Sequence, residues 1–320
     1  MVELYTPVFR VEVDGIERTR DVWRHLTSLE YTDAEEDQSD AVDITVANSP
    51  AFLIPRRGAE LRLWLGWKES SLKYFGAFLV DEVGGRFRPA EMTVSAKSAD
   101  LTGAAAAKEK ADVEWENISL ASIAAKIAAK HGCEAKVLTG VHYAHQAQSG
   151  ESDIAFLRRL AKEAGASLAI KDKTFVIAPY GEAFRAEAHI SYKDVISGGW
   201  TLQEREKYRA VTAKWWNKDR AEEESVSSGG GQPAYIIKKR FANAAEARNA
   251  ASNYKAKLAK GELELDVTTA GDPALVSGAK VACTGFSPQE LNGSYLAKSV
   301  RHSISKSSGW TTDITLDKLP

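Results

Sequence analysis

Closely spaced short segments rich in β-branched and aromatic residues fill the first hundred positions, and no other feature restricts the fold as much. Val8-Phe9-Arg10-Val11-Glu12-Val13 alternates and then turns at Asp14-Gly15. Thr27–Tyr31, Ala41–Ala47, Glu60–Trp67, Lys73–Val80 and Glu91–Lys97 follow, separated by Gly, Pro, Asn and Asp. Strands of this length, closely spaced with mostly short joints, favour antiparallel pairing over βαβ units. The region therefore reads as an antiparallel sandwich or barrel.

After Thr102-Gly103 the pattern changes. Leu120, Ile123, Ala124 and Ile127 recur on one helical face, with Ser119 placed to cap the start and Gly132 to end it. A second helix is capped by Ser152, buries Phe156, Leu157, Leu160, Ala161 and Ala164, and stops at Gly165. Ala166–Ile170 and Thr174–Ala178 read as a hairpin across Lys171-Asp172-Lys173. From His189 β patterning returns, with Ile190–Val195 and Tyr208–Trp216. The polar run from Asp219 to Pro233, with Ser227-Ser228-Gly229-Gly230-Gly231, reads as a mobile loop. The strand Tyr235–Phe241 leads to a long helix that opens on a capping box of Asn243 and Glu246 and closes at Gly261. Glu262–Thr268, Ala279–Thr284, Ser294–Ser305 and Thr311–Leu316 complete the strands. The expected fold is α+β and mainly β. A β domain over 1–102 is followed by a small α+β insertion over 103–188 and a second β domain over 189–320 that carries the long helix.

Composition excludes whole classes. With 320 residues, 44% apolar and 27% charged, 23 Gly and 9 Pro, the chain is neither disordered nor fibrous, and its length suits about two domains. Lys and Arg (42) nearly balance Asp and Glu (44), so a net charge of −2 provides no field to gather nucleic acid or anionic lipid. Two distant cysteines, Cys133 and Cys283, form neither a disulfide framework nor a CxxC pair and read as buried hydrophobes. No signal-like N-terminus and no apolar run of membrane-spanning length is present, so the expectation is a protein made in a cytoplasm-like compartment, with no membrane anchor.

Catalytic motifs are missing: there is no GxSxG, P-loop, GxGxxG or HExxH. His142-Tyr143-Ala144-His145 sets two imidazoles at a spacing that one helical face would share, without a third ligand, and reads as a surface pair. Isolated histidines such as His302 read as satisfied structural residues rather than bases. The acidic run Asp33-Ala34-Glu35-Glu36-Asp37-Gln38-Ser39-Asp40 lies between two strands. It reads either as a solvated hairpin tip or as an electrostatic contact for a basic partner. Trp215 and Trp216 fall on opposite faces of an alternating strand, one for the core and one for a protein interface, where Trp, Tyr and Arg are enriched. The candidate interface residues are thus Asp33, Glu35, Glu36, Asp37, Asp40, Trp215 and Trp216. No catalytic, metal or cofactor residue is assigned, and no cofactor is expected.

Three C-terminal stretches, Gly271-Asp272-Pro273-Ala274-Leu275-Val276-Ser277-Gly278-Ala279-Lys280-Val281, Leu291 to Ser305, and Gly309-Trp310-Thr311-Thr312-Asp313-Ile314, together resemble the late control D protein family of tailed phages. The opening Pro7 to Gly15, the insertion segment Glu151 to Ala161 and the helix Ala244 to Lys260 fit in the same order. The chain is also similar to the hub half of type VI secretion spike proteins. The resemblance implies a baseplate hub of a contractile tail: a homotrimer whose two tube-like β domains per subunit present six similar domains to a hexameric tail tube or tube-initiator protein. It implies a separate tail spike protein, other baseplate proteins and tape-measure protein as partners, DNA only as passing cargo, assembly in the host bacterial cytoplasm and residence in the virion. Near-neutral charge suits a conduit wall that does not hold its cargo. Two other readings compete: a baseplate-associated cell-wall hydrolase, and a carbohydrate-binding β protein stacking sugars on Trp67, Trp200 or Trp310.

Overall fold

The computed structural model describes residues 6–34, 40–47, 54–98, 109–171, 174–179, 187–202, 208–217, 220–259 and 263–319. Strands dominate, so the mainly-β α+β class holds. Contacts divide the chain into two units. The first holds Met1–Gly103, Ala186–Gly199 and Leu265–Leu316; the second holds Ala104–Arg185, Trp200–Glu264 and Asp317–Pro320. This grouping cuts across the block 189–320, because strand pairing rather than chain order decides which segments lie together.

In the first unit, strands from both ends of the chain share one sheet. Gly293–Ser305 pairs antiparallel with Leu26–Ala34, from Ser299 opposite Ala34 to Ile304 opposite Leu29. On one side of this join lie Gly309–Lys318 and Leu263–Ala270; on the other lie Ala41–Ala47, Ala90–Ser98, Lys73–Phe87, Glu60–Trp67 and Pro7–Val13. Among the described strands the order runs open from Val195–Leu202 to Ile16–Glu17 and does not close into a barrel. Alternation decides which face is buried: in Glu60–Trp67, Leu61, Leu63 and Leu65 are at most 2% exposed, whereas Arg62 points to water. They join Phe9, Val11, Leu29, Tyr31, Ile44 and Phe78 in the core. A short helix, Thr19–His25, covers part of this core with Val22. One turn of apolar spacing was too little signal to reveal it in sequence.

The second unit contains the two capped helices where the spacing places them. In Leu120–Lys130 the Ser119 hydroxyl accepts from Ser122 N–H at 3.1 Å, and in Asp153–Glu163 the Ser152 hydroxyl accepts from Ala155 N–H at 3.3 Å. Gly132 (φ +65°) and Gly165 (φ +69°) take the left-handed conformation that ends each helix, which side chains with a Cβ disfavour. A three-stranded sheet packs with them, in which Thr174–Pro179 pairs antiparallel with Ala166–Lys171 and parallel with Glu134–Val137. Lys110–Ser119 and His142–Ser152 form a separate antiparallel pair. His142 and His145 therefore lie on a strand, and the helical face once open to them does not exist.

A second correction concerns Asp219 to Pro233, which contains the strand Glu222–Gly229 rather than a loop throughout. It pairs with Ala210–Asn217, whose other neighbour is Ala234–Phe241. Only Glu224, Val226 and Ser228 are partly covered, so the segment has almost no apolar alternation to betray it. The helix Ala244–Ala259 packs on this sheet through Ala247 and Ala251, both 0% exposed. Its N-cap is formed, as Glu246 N–H donates to Asn243 Oδ1 at 2.9 Å, but Glu246 Oε1 accepts from the Asn243 side-chain Nδ2, also at 2.9 Å, rather than from the backbone N–H that a full capping box uses.

Candidate interaction surfaces

The stretch Gly271 to Gly278 is stitched into the first unit from every side. Trp67 Nε1 donates to Gly271 O at 2.9 Å, and Gly271 N–H donates to Trp310 O at 2.9 Å. The two indoles pack at 5.0 Å between centroids. Ser277 N–H donates to Asp33 Oδ2 at 3.0 Å, and Gly278 N–H donates to Ala297 O at 2.8 Å. His302, 0% exposed, lies 3.0 Å from Leu275 O through Nε2. A carbonyl only accepts, so Nε2 carries the proton, and Nδ1 accepts from Thr312 Oγ1 at 2.9 Å.

Burial pushes the His302 imidazole down to about 4; the bond to Leu275 opposes this and the charge of Lys73 adds to it. The unfolded imidazole titrates near about 6.5, so protons bind the unfolded chain first as pH falls. Stability is complete above that value and is lost progressively until the folded imidazole protonates. Between pH 7.5 and 5 the expected loss is about 2 kcal/mol. Denaturant titrations of wild type and His302→Gln at both pH values isolate it, because the variant lacks this titration.

The candidate interface residues fare differently. Asp33 is 2% exposed, on the same side of its strand as Leu29 and Tyr31, and its carboxylate serves Ser277. It is a buried acceptor within the unit and not part of a solvated tip or an exposed contact. Asp40 Oδ2 accepts from the Tyr31 hydroxyl at 3.3 Å. Burial, then the charges of Asp33 and Asp40, push that phenol well above its usual range. Glu35, Glu36 and Asp37 lie outside the described residues. Trp215 packs with the Val211, Ala213, Ala247 and Ala251 cluster, while Trp216, one position on, is 46% exposed. Trp67 and Trp310 are packed against one another, which removes them as sugar-stacking platforms.

Of the exposed apolar residues the sequence named Trp200, as a sugar-stacking platform, but neither Ile196 nor Leu202 nor Phe87. On the strand Val195–Leu202, Ile196 is 63% exposed in the first unit, and Trp200 50% and Leu202 66% in the second. This strand ends the sheet order, so its outer edge pairs with no described strand. Phe87, at the tip of the hairpin Lys73–Phe87 and Ala90–Ser98, is 93% exposed between Arg86 and Arg88. The sequence assigned no strand between Val195 and Tyr208, and exposure depends on neighbours: among the described residues none covers these side chains.

The sequence profile of the phage tail baseplate hub (GPD) family matches residues 42–308, so it takes in most of the strands, helices and joints just described. The chain belongs to that family. Two curated relatives carry the description "probable baseplate hub protein". That of Escherichia phage P2 is 31% identical over 220 residues, 66% of this chain and 56% of the relative. That of Escherichia phage 186 is 26% identical, with the match covering 97% of this chain and 92% of the relative. The match thus spans little more than half of the P2 protein but nearly all of the 186 protein. Among solved structures, the 43 kDa tail protein of prophage MuSo2 from Shewanella oneidensis superposes with a TM-score of 0.73 at 17% identity, covering 97% of this chain and 98% of that one. The E. coli c3393 protein, a component of the type VI secretion system, superposes with a TM-score of 0.57 at 12% identity, over 96% and 76%. At these identities the likeness is one of fold. As a baseplate hub protein the chain is a virion component of the tail. No described helix is long and apolar enough to cross a membrane.

Proposed function

We propose that this hub protein acts as a structural trimer, a ring that joins a hexameric tail tube to a trimeric spike and leaves a channel for DNA and tape-measure protein. The carrying observation is the uncovered apolar strand Val195–Leu202 at the end of an open sheet. An edge that pairs with no described strand and leaves Ile196 exposed invites pairing and is safe only when covered. Covering it with a neighbour in a threefold ring closes the assembly, whereas an unclosed head-to-tail contact would propagate into fibres. Trp216 and Phe87 provide further anchors for tube, spike or other baseplate proteins.

The opposite requirement, a wall that passes cargo, is supported by a polar face on the first unit. Thr32, Ser299, Arg301, Asp266 and Asp313 line a shallow depression there. Its groups bond among themselves: Thr268 Oγ1 donates to Asp313 at 2.6 Å and Thr315 Oγ1 to Asp266 at 2.7 Å. Two carboxylates beside Arg301 repel a polyanion rather than grip it. The assigned role is one of shape and interface, without a catalytic residue. The type VI secretion component of similar fold is itself described as structurally similar to the T4 tail proteins gp27 and gp5.

Light scattering after size exclusion, with the cognate spike protein present, tests the ring. The wild type is expected at a three-chain mass, and Ile196→Asp with Trp200→Asp as monomer with unchanged circular dichroism. A wild-type monomer that ignores the spike at high concentration would sink the ring reading.

A further inference from the structure

Within the second unit, the strand His142–Ser152, the end of the helix Asp153–Glu163, the strand Ala234–Phe241 and the start of the helix Ala244–Ala259 enclose a cleft of about 350 Å³. That is within the range of small-ligand sites, about 300–1,000 Å³. Gln146 lines it and is only 8% exposed, yet its carboxamide has no hydrogen-bond partner among the described residues. Its amide atoms are not sealed from solvent but open into the cleft, so their pairing is left to whatever occupies it. Facing it are charges that largely cancel. Glu163 accepts from Lys239 Nζ at 2.8 Å and from Arg159 Nη1 at 3.3 Å, and Glu246 is held by Asn243 at 2.9 Å. Both carboxylates act on the buried Tyr143 phenol, which burial first, and then their charges, push above its usual range. Phe241 adds an aromatic surface, with Lys239 Nζ 5.6 Å from its centroid.

These groups select a chemistry. An anion would meet two carboxylates, and an apolar ligand would leave Gln146 unpaired. Gln146 offers one donor and one acceptor side by side, which a secondary amide matches with its own C=O and N–H. The spare lone pairs of Glu163 and Glu246 call for hydroxyl donors, and a sugar ring can lie against Phe241. We propose that this cleft binds an N-acetylated saccharide, with the acetamido group paired to Gln146. The inference rests on the cleft alone and stands or falls separately from the ring.

Calorimetry with the trimer of N-acetylglucosamine against maltotriose tests it directly. The acetylated sugar is expected to bind about fivefold tighter, the worth of one amide pairing, and Gln146→Leu to erase that preference. The same variant should keep the wild-type circular dichroism, since the Gln146 amide holds no described residue in place. If Gln146→Leu fails to fold, a crystal of wild type soaked in the acetylated trimer still decides, by whether the acetamido group lies on Gln146. No binding at millimolar sugar, equal affinity for both sugars, or density elsewhere would each overturn the proposal.

Discussion

Gly271→Ala is expected to cost about 3 kcal/mol of stability, at or above the upper end for overpacking a core. A Cβ at this position would stand 2.0 Å from Trp310 Cδ2 and 2.2 Å from Cγ, far inside van der Waals contact. Neither side can yield easily. The Trp310 ring is 2% exposed and wedged against Trp67 and His302, and the Gly271 backbone is fixed by hydrogen bonds at both its N–H and its carbonyl. The strain would fall on the joint between strands from the two ends of the chain. Urea denaturation measures the loss, and hydrogen exchange should place it at Gly309–Lys318 and Glu60–Trp67. Stability within about 0.5 kcal/mol of wild type would mean that the indole has room the packing does not reveal.

Asp153→Ala is expected to cost about 3 kcal/mol in the second unit, the lower end for breaking a buried charge pair, because one partner is half in water. Asp153 is 2% exposed at the start of the helix Asp153–Glu163. Its Oδ2 receives Lys130 Nζ and His131 Nε2, each at 2.8 Å, and its Oδ1 receives Gln148 Nε2 at 2.9 Å. Burial alone would raise the carboxyl, but the bonds from Gln148, Lys130 and His131 together outweigh it and hold the group below its usual range. Alanine leaves three donors without their acceptor, and the worst placed is His131, whose side chain is 2% exposed. Asp153→Asn, which keeps one acceptor oxygen, should lose about half as much. An Asp153→Ala protein as stable as wild type would show that water enters and replaces the carboxylate.

Much of this architecture was legible residue by residue. Ser119, Ser152 and Asn243 cap helices because a short side-chain oxygen beside free N–H groups is a local event, needing nothing from the rest of the chain. Alternation in Glu60–Trp67 and Ala41–Ala47 gave both the strand and its buried face. The strand Glu222–Gly229 escaped, since its Glu, Ser and Gly residues pack on little and pair through the backbone, which carries no sequence code. Asp33 escaped for a related reason. A carboxylate within an acidic run reads as solvated, and only the arrival of Ser277 N–H from 244 residues away makes it a buried acceptor.

By itself, then, the sequence determined what local physics controls: mainly antiparallel strands, capped helices in the insertion, an absence of known catalytic motifs, and a succession of segments resembling a tail hub. Tertiary structure alone decided that the two ends of the chain share one open sheet, because backbone pairing between Gly293–Ser305 and Leu26–Ala34 depends on geometry that no single segment holds. It also decided which apolar residues are covered. Ile196 and Leu63 look alike in sequence, yet one is 63% exposed and the other fully buried, because burial belongs to the neighbours that the fold brings or withholds.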